Sequence, residues 1–304
     1  MASLGALAPI SQAELDARDR KRTAVSSVYT YCIALVGTGF VVLALALIGT
    51  IVVRGLPAIS WEFLSQPPRE GMSAGGIWPM IRGSLMLMTG ALVIVLPLGI
   101  LGGICLAEYS GDNRFTAFFR ACVTSLAGTP SIVFGLFGLA IFVLNFKLGL
   151  SLLAGCLTLA LLALPVIVLV TDQAIRAVPA SSTDAGLALG LSRWQVLWKI
   201  TLPQALPTIM TGLVLSTGRA AGEAPPILLT AGIYFGTGAL TFGWETLKQP
   251  VANLPYHLAE GYRQGTVIPE KIVWGTCLSL MMLVLLINLG AILVRAKARA
   301  QAAH

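Results

Sequence analysis

Charge is scarce in this 304-residue chain: Asp, Glu, Lys and Arg make up 11% of it, against 56% hydrophobic residues. A soluble domain of that length needs far more polar surface to cover its core, so a water-soluble globule is excluded. Histidine is almost missing, with only His257 and His304. No apolar run carries paired carboxylates or a Ser/His set, so general acid–base or nucleophilic catalysis lacks its parts, and neither a catalytic residue nor a cofactor is expected. The five cysteines (Cys32, Cys105, Cys122, Cys156 and Cys277) form no CxxC pair and have no histidine at ligand spacing. They read as small buried packing residues, with no disulfide and no metal. A G-x-x-x-x-G-K-[ST] loop is also lacking, and with it the backbone phosphate cradle and lysine of an ATPase. Gly236-Thr237-Gly238 has no third glycine at nucleotide-loop spacing and reads as a turn. The chain is basic, with a net charge of +7 and a pI near 9.4, but its Lys and Arg sit at the ends of apolar segments. They form no patch with interleaved aromatics, so no nucleic acid is expected as a partner.

What is present is apolar sequence in long runs, with a mean hydropathy of +0.85. Six stretches, 28–53, 84–106, 121–146, 148–171, 206–233 and 272–294, each exceed the roughly 20 residues that cross ~30 Å of hydrocarbon at 1.5 Å per residue. The fold class expected is therefore an all-α polytopic membrane protein with six transmembrane helices. The third and fourth runs are so close that Phe146 and Lys147 must turn a tight hairpin. Arg18, Arg20, Lys21 and Arg22, then Arg114 and Arg120, then Arg176, Arg193 and Lys199, and finally Arg295, Lys297 and Arg299 share one face if there are six crossings. By the positive-inside rule that face is cytoplasmic. The tails 1–27 and 295–304 and the loop 172–205 then lie inside, and the loops 54–83 and 234–271 outside. The first run is too long for the core of a cleaved signal peptide, so it is expected to stay as a span. The bilayer is thus the first partner. The 32 glycines, many within the spans as in Gly99-Ile-Leu-Gly102-Gly103, point to closely packed helices.

The inside loop 172–205 carries the most specific pattern. Ser182-Thr-Asp-Ala-Gly-Leu-Ala-Leu-Gly190-Leu-Ser-Arg-Trp-Gln-Val-Leu-Trp-Lys-Ile-Thr-Leu-Pro203 reads as two short helices broken at Gly190. Ser or Thr at 181–183 offers an N-cap, Asp184 suits the positive end of the first helix, and Gly190 supplies the left-handed geometry that stops it. Ser192 and Gln195 have capping-box spacing for the second helix, where Trp194, Leu197 and Trp198 are expected on one face. Two readings fit a stiff apolar-faced helix here: an interfacial helix lying on lipid headgroups, or a surface that presses on a partner protein.

This stretch resembles the EAA loop of the permeases of ATP-binding-cassette importers, here as Asp184-Ala185-Gly186, Gly190 and Leu202-Pro203. Asp184 stands for the usual Glu and Gly186 for the second Ala, with the spacing kept. The resemblance implies that Asp184, Ala185, Gly186, Leu187, Ala188, Leu189, Gly190 and Leu191 form the segment that docks on a cytosolic ATPase, two copies of which supply the hydrolysis this chain lacks. Leu126-Ala-Gly-Thr-Pro-Ser-Ile-Val-Phe-Gly-Leu-Phe-Gly138, Gly222-Glu-Ala-Pro-Pro-Ile-Leu-Leu-Thr-Ala-Gly232 and Gln249-Pro-Val-Ala-Asn-Leu-Pro255 are similar to segments of the permeases of phosphate importers. From about Gly75 onward the resemblance implies the MetI-like permease fold. It also implies a second permease subunit and an external phosphate-binding protein as partners, in a bacterial inner membrane. Molybdate, sulfate or phosphonate is the alternative cargo.

Arg219 and Glu223 are the only charges inside the six expected runs, one turn apart and just before a Pro225-Pro226 break. An ionisable group within the bilayer is costly and normally faces a polar interior. The pair is either part of a substrate path, for which a guanidinium suits phosphate oxygens, or a clasp that only locks packing. Thr129 and Ser131 flank Pro130 in the third run and line the same path or mark an ordinary kink. A secondary transporter would explain the buried charges but not the EAA-like loop, and paired inverted repeats with broken helices are not apparent.

Overall fold

The computed structural model describes residues 12–70, 74–111, 113–233, 243–263 and 268–302, so the Gly236-Thr237-Gly238 turn lies outside the described residues. The chain divides into two compact units, up to Val53 and from Arg54 onward. The first holds most of α1 (Gln12–Gly55), whose apolar side chains such as Ile33, Leu35, Phe40 and Leu45 are exposed. Exposed leucine and phenylalanine all round a helix is what lipid, not water, tolerates.

In the second unit, a 3₁₀ turn (Leu56–Ala58) and α2 (Trp61–Ser65) precede a two-residue antiparallel pair, β1 (Pro68–Arg69) and β2 (Ala74–Gly75). The long helix α3 (Trp78–Ile104) ends in a π-helical turn, Cys105–Tyr109. After it come α4 (Arg114–Ala127) and α5 (Ser131–Gly138), the latter running on as a π-helical stretch, Leu139–Asn145. Next are α6 (Leu152–Arg176), α7 (Ala180–Ala188), α8 (Arg193–Val196) with a π-turn at Leu197–Thr201, and α9 (Leu202–Ala221). The chain closes with α10 (Pro225–Thr230), α11 (Trp244–Leu247), α12 (Leu254–Arg263) and α13 (Glu270–Ala302).

The helical reading holds, and the helix boundaries differ from those of the apolar runs. Tyr29–Ala58, Trp78–Tyr109, Leu152–Arg176 and Glu270–Gly290 are each long and apolar enough to cross a bilayer. The third expected run, 121–146, is not one rod: α4 and α5 meet at a bend of 99°. Pro130 has no N–H to continue the ladder, and it is itself extended, at φ −56° and ψ 137°, ahead of α5. The fifth run, 206–233, is also broken, because α9 ends at Ala221 and α10 restarts at Pro225. Thr208, Thr211, Ser216, Thr217 and Arg219 keep α9 below the apolarity of the other spans. The hairpin expected at Phe146-Lys147 is longer, with Lys147 and Gly149 both in left-handed backbone and Ser151 capping α6. Of the five cysteines, expected to be buried, only Cys156 is; Cys122 and Cys277 are half-buried, and Cys32 and Cys105 are exposed.

The centre of the unit is α3 packed on α6, with Leu87, Ala91 and Val95 against Leu159, Ala163 and Ile167. Glycine makes the approach possible. A methyl group at Gly99 would lie 2.5 Å from Ile167 Cγ2, and one at Gly103 would collide with Thr171. Since apolar surface gains little by leaving lipid, such close van der Waals contact is what holds the helices together.

A stretch expected within an outside loop is threaded into this bundle. Val251, Ala252, Asn253 and Leu254 are nearly inaccessible. Their backbone is paired with the bundle: Val251 N–H donates to Ala231 O at 2.9 Å, and Leu254 N–H to Ser84 Oγ at 2.9 Å. These bonds satisfy the groups that make a buried loop costly. His257, in α12, is buried too, with Nδ1 3.2 Å from Thr276 Oγ1, and burial lowers its pKa from 6.5 to about 4. The folded state therefore holds it neutral while the unfolded chain takes up a proton, so stability is fully present above pH 6.5 and lost as pH falls toward 4. Thermal unfolding of the purified protein should shift down over that window, by the equivalent of roughly 3 kcal/mol at its end. His257→Gln should flatten the dependence. An unchanged pH profile in that variant would assign the loss to other groups.

Candidate functional site

The loop after α6 folds as two helices, as expected, with one displaced boundary. Its first helix begins at Ala180 behind Pro179, not behind Ser181, Ser182 or Thr183, so Asp184 lies in mid-helix and is exposed. The helix ends in a complete Schellman arrangement. Leu191 N–H donates to Gly186 O at 3.2 Å and Gly190 N–H to Leu187 O at 3.0 Å, with Gly190 at φ +83°. Ser192 then accepts from Gln195 N–H at 3.3 Å while the Gln195 side chain accepts from Ser192 N–H at 2.9 Å, the capping box the spacing predicts.

Gly186 explains its own departure from alanine. It is buried, and a methyl group there would meet Ile200 Cδ1 at 2.5 Å and Val196 Cγ2 at 3.1 Å. The two short helices thus pack closely on each other, with Val196 buried, while Leu197 fills the core beside Ile104, Ala174 and Ile175. The single face expected for Trp194, Leu197 and Trp198 is split, because Leu197 turns inward at the start of the π-turn. The two indoles stay outside, 5.4 Å apart edge to face. Ala185, Ala188, Leu187 and Leu189 are also exposed, Leu189 by 84%. The result is a rigid, capped turn presenting Leu187, Leu189, Trp194 and Trp198, an apolar patch of the kind that marks an interaction surface.

The second group of residues lies where α5 meets α10. Thr129 sits in the α4–α5 bend, its hydroxyl on Ser125 O at 3.0 Å, and Ser131 opens α5. One turn on, Gly135 packs so tightly that a methyl group would lie 3.0 Å from Pro226 Cα and 3.1 Å from Pro225 O. Glu223 is two residues before Pro225, in the gap between α9 and α10. The structure therefore brings two broken helices together, and the four expected path residues flank their breaks. The Arg219–Glu223 pair is loose, with Nε 3.5 Å from Oε1, Arg219 about half exposed at 48% and Glu223 at 15%. Arg219 lies in the last turn of α9, where a cation suits the negative end of the helix.

Sequence reading missed a third cluster. The fourth apolar run stops at Thr171, but α6 continues to Arg176 and carries Asp172 with its side chain 4% exposed. Arg120 grips that carboxylate with two N–H groups, at 3.0 and 3.1 Å, and Arg176 adds a third at 2.9 Å. The i, i+4 spacing of Asp172 and Arg176 was a visible signal; Arg120, 52 residues away, was not.

Residues 97–298 match the family described as binding-protein-dependent transport system inner membrane component. Among curated relatives, a probable ABC transporter permease protein, YqgI, from Bacillus subtilis is 34% identical over 88% of this chain and 92% of its own length. The phosphate transport system permease protein PstA is 32% identical in Xylella fastidiosa, over 80% of this chain and 82% of that protein. In Pasteurella multocida it is 34% identical, over 80% and 84%. Among solved structures, a bacterial ABC transporter that imports alginate covers 92% of this chain and 98% of its own at a TM-score of 0.63 and 16% identity. The MetNI methionine ABC transporter, inward facing, covers 73% and 94% at 0.54 and 19%. At such identities the solved structures speak for the fold alone, and that fold is the one expected from the EAA-like loop. The chain belongs to the binding-protein-dependent transport system inner membrane component family, the multi-pass permeases of ATP-binding-cassette importers.

Proposed function

We propose that this chain is one permease of an inorganic phosphate importer. It forms the translocation path with a second permease, is driven by two copies of a cytosolic ATPase and receives phosphate from an external binding protein. The observation that carries the reading is the capped turn at Gly190 with its exposed Leu187, Leu189 and Trp194, in a chain whose relatives, matched over more than 80% of their length, include phosphate permeases. Asp184 to Leu191 is the segment that docks on the ATPase, since this chain has no phosphate-binding loop of its own. Arg219, Glu223, Thr129 and Ser131 border the path. A site that must release what it admits holds its anion weakly, and a half-exposed guanidinium beside a carboxylate meets that need. The complex reconstituted in vesicles should take up phosphate when ATP is enclosed with the ATPase, and sulfate or molybdate should neither replace it nor compete. Uptake of one of those oxyanions in place of phosphate would move the chain to another importer of the same family.

The same reading places six crossings in a bacterial inner membrane: α1, α3, the bent pair α4–α5, α6, α9 with α10, and α13, with both termini inside. Single cysteines at Leu189 and Arg193 are expected to react with an impermeant maleimide only from the cytoplasm. Those at Trp61 and Arg263, both exposed, should react only from outside. A residue labelled from the opposite side would change the number of crossings.

A further inference from the structure

We propose that Arg120, Asp172 and Arg176 are positioning residues. They lock the root of the ATPase-coupling loop to the bent pair α4–α5, so that displacement of the loop is passed to the breaks that border the path. The proposal rests on the permease reading given above. Its first support is the chemistry of the cluster. Asp172 is an almost inaccessible carboxylate held by Nε and Nη2 of Arg120 and Nε of Arg176, and Arg120 Nη2, which it shares, and Arg176 Nη2 both donate to Leu106 O at 3.3 Å. One buried charge thereby ties together the π-turn that ends α3, the middle of α4 and the last turn of α6.

The second support is position. Arg176 ends α6, and only Ala177 and Val178 separate it from Pro179, which caps the coupling helix α7. That tether is short, and Val178 packs in the core with Ile175 and Leu197. On the other side, Arg120 lies two turns before the end of α4, which leads through the 99° bend into α5. Through Gly135, α5 rests on Pro225 and Pro226 beside Glu223. Helix α4 packs chiefly on α6, while its Phe115, Phe118 and Phe119 are exposed. The salt-bridge cluster is thus a fixed point of α4 on the bundle.

The third support is energetic. Apolar side chains of similar size would hold these helices together as well as a buried ion pair does, since desolvation cancels most of the Coulomb gain. A bidentate arginine fork adds what they cannot, a defined relative placement of two helices. Breaking it leaves Asp172 charged and underpartnered, so the placement, more than the packing, is what a substitution removes.

The test uses the assembled complex with its ATPase, carrying Thr129→Cys in a chain whose five native cysteines are replaced. The rate at which a soluble maleimide labels residue 129 is measured with and without ATP, a readout that does not depend on which oxyanion is transported. In the otherwise unaltered chain, ATP should change the rate. With Asp172→Asn, or with Arg120→Lys, which keeps the charge but not the fork, that change should shrink roughly tenfold in complexes that assemble at normal level. Exchanging the charges, Arg120→Asp with Asp172→Arg, should restore part of it. A full response to ATP in either assembled single variant would overturn the proposal. So would a lack of any response in the parent, or failure of both single variants to assemble, which would make the cluster a folding clasp. The permease reading stands or falls separately, on oxyanion uptake by the parent complex.

Discussion

Gly190→Val is expected to reduce phosphate uptake at least tenfold in complexes that still reach the membrane and still bind the ATPase. Gly190 sits at φ +83° with no atom within 4 Å of where a Cβ would be, so the substitution meets no steric wall. Its whole effect comes through the backbone. A left-handed residue other than glycine costs about 1–2 kcal/mol, and a β-branched one is at the upper end. That is comparable with the two hydrogen bonds the turn makes, Leu191 N–H to Gly186 O and Gly190 N–H to Leu187 O, each worth about 1 kcal/mol net. The turn therefore opens, and the angle that presents Leu187 and Leu189 together with Trp194 is lost. Gly190→Asn is the matched control, because asparagine tolerates the left-handed region. It should keep most of the uptake. Equal loss in both variants, measured as uptake per assembled complex, would show that bulk at the docking face is the cause and conformation is not.

The legible and illegible parts of this loop differ in the range of the forces involved. Gly190, Ser192 and Gln195 act within a few residues of one another, and the stop and the capping box stand where the spacing predicts them. The start of α7 was open to several caps, since Ser181, Ser182 and Thr183 compete locally and the choice fell to Pro179, whose fixed φ of −59° leads directly into the helix. Leu197 left the face of the two tryptophans because a π-turn adds a residue there, which 3.6-residue periodicity does not anticipate.

Over the whole chain the same distinction holds. Hydropathy finds apolar runs, but it cannot tell a straight span from a broken one when both halves are apolar. Proline at 130 announces a break; its 99° angle is not legible in the sequence, nor is the seat of α5 on Pro225 and Pro226, almost a hundred residues on. Hydropathy also ends a helix at its first charge. That placed Asp172 in a loop, although it is the buried end of α6, and hid Arg120 as its partner. The stretch Val251 to Leu254 looked like loop because it is irregular, yet its partners Ala231 and Ser84 come from two other parts of the chain.

Arg219→Gln is expected to lower phosphate uptake more than tenfold at near-normal membrane level and assembly. The size of the effect separates the two roles open to this residue. As a clasp, an i, i+4 pair with a half-exposed arginine and 3.5 Å between its atoms is worth about 0.3–0.5 kcal/mol, too little for a tenfold change, which needs about 1.4 kcal/mol. As part of the path, the guanidinium offsets the desolvation of a dianion, and interactions of a charged hydrogen bond reach that size. Glu223 is the more buried partner, 15% exposed, and tempers the positive field so that the anion is not retained. Glu223→Gln should therefore act more weakly than Arg219→Gln. The double variant decides the matter. If the pair served only as a clasp, removing both charges would leave nothing unpaired and would recover the uptake that either single change costs. With Arg219 in the path, the double variant stays as impaired as Arg219→Gln alone, and initial uptake rates of the three variants at equal membrane level are the measurement that separates the two.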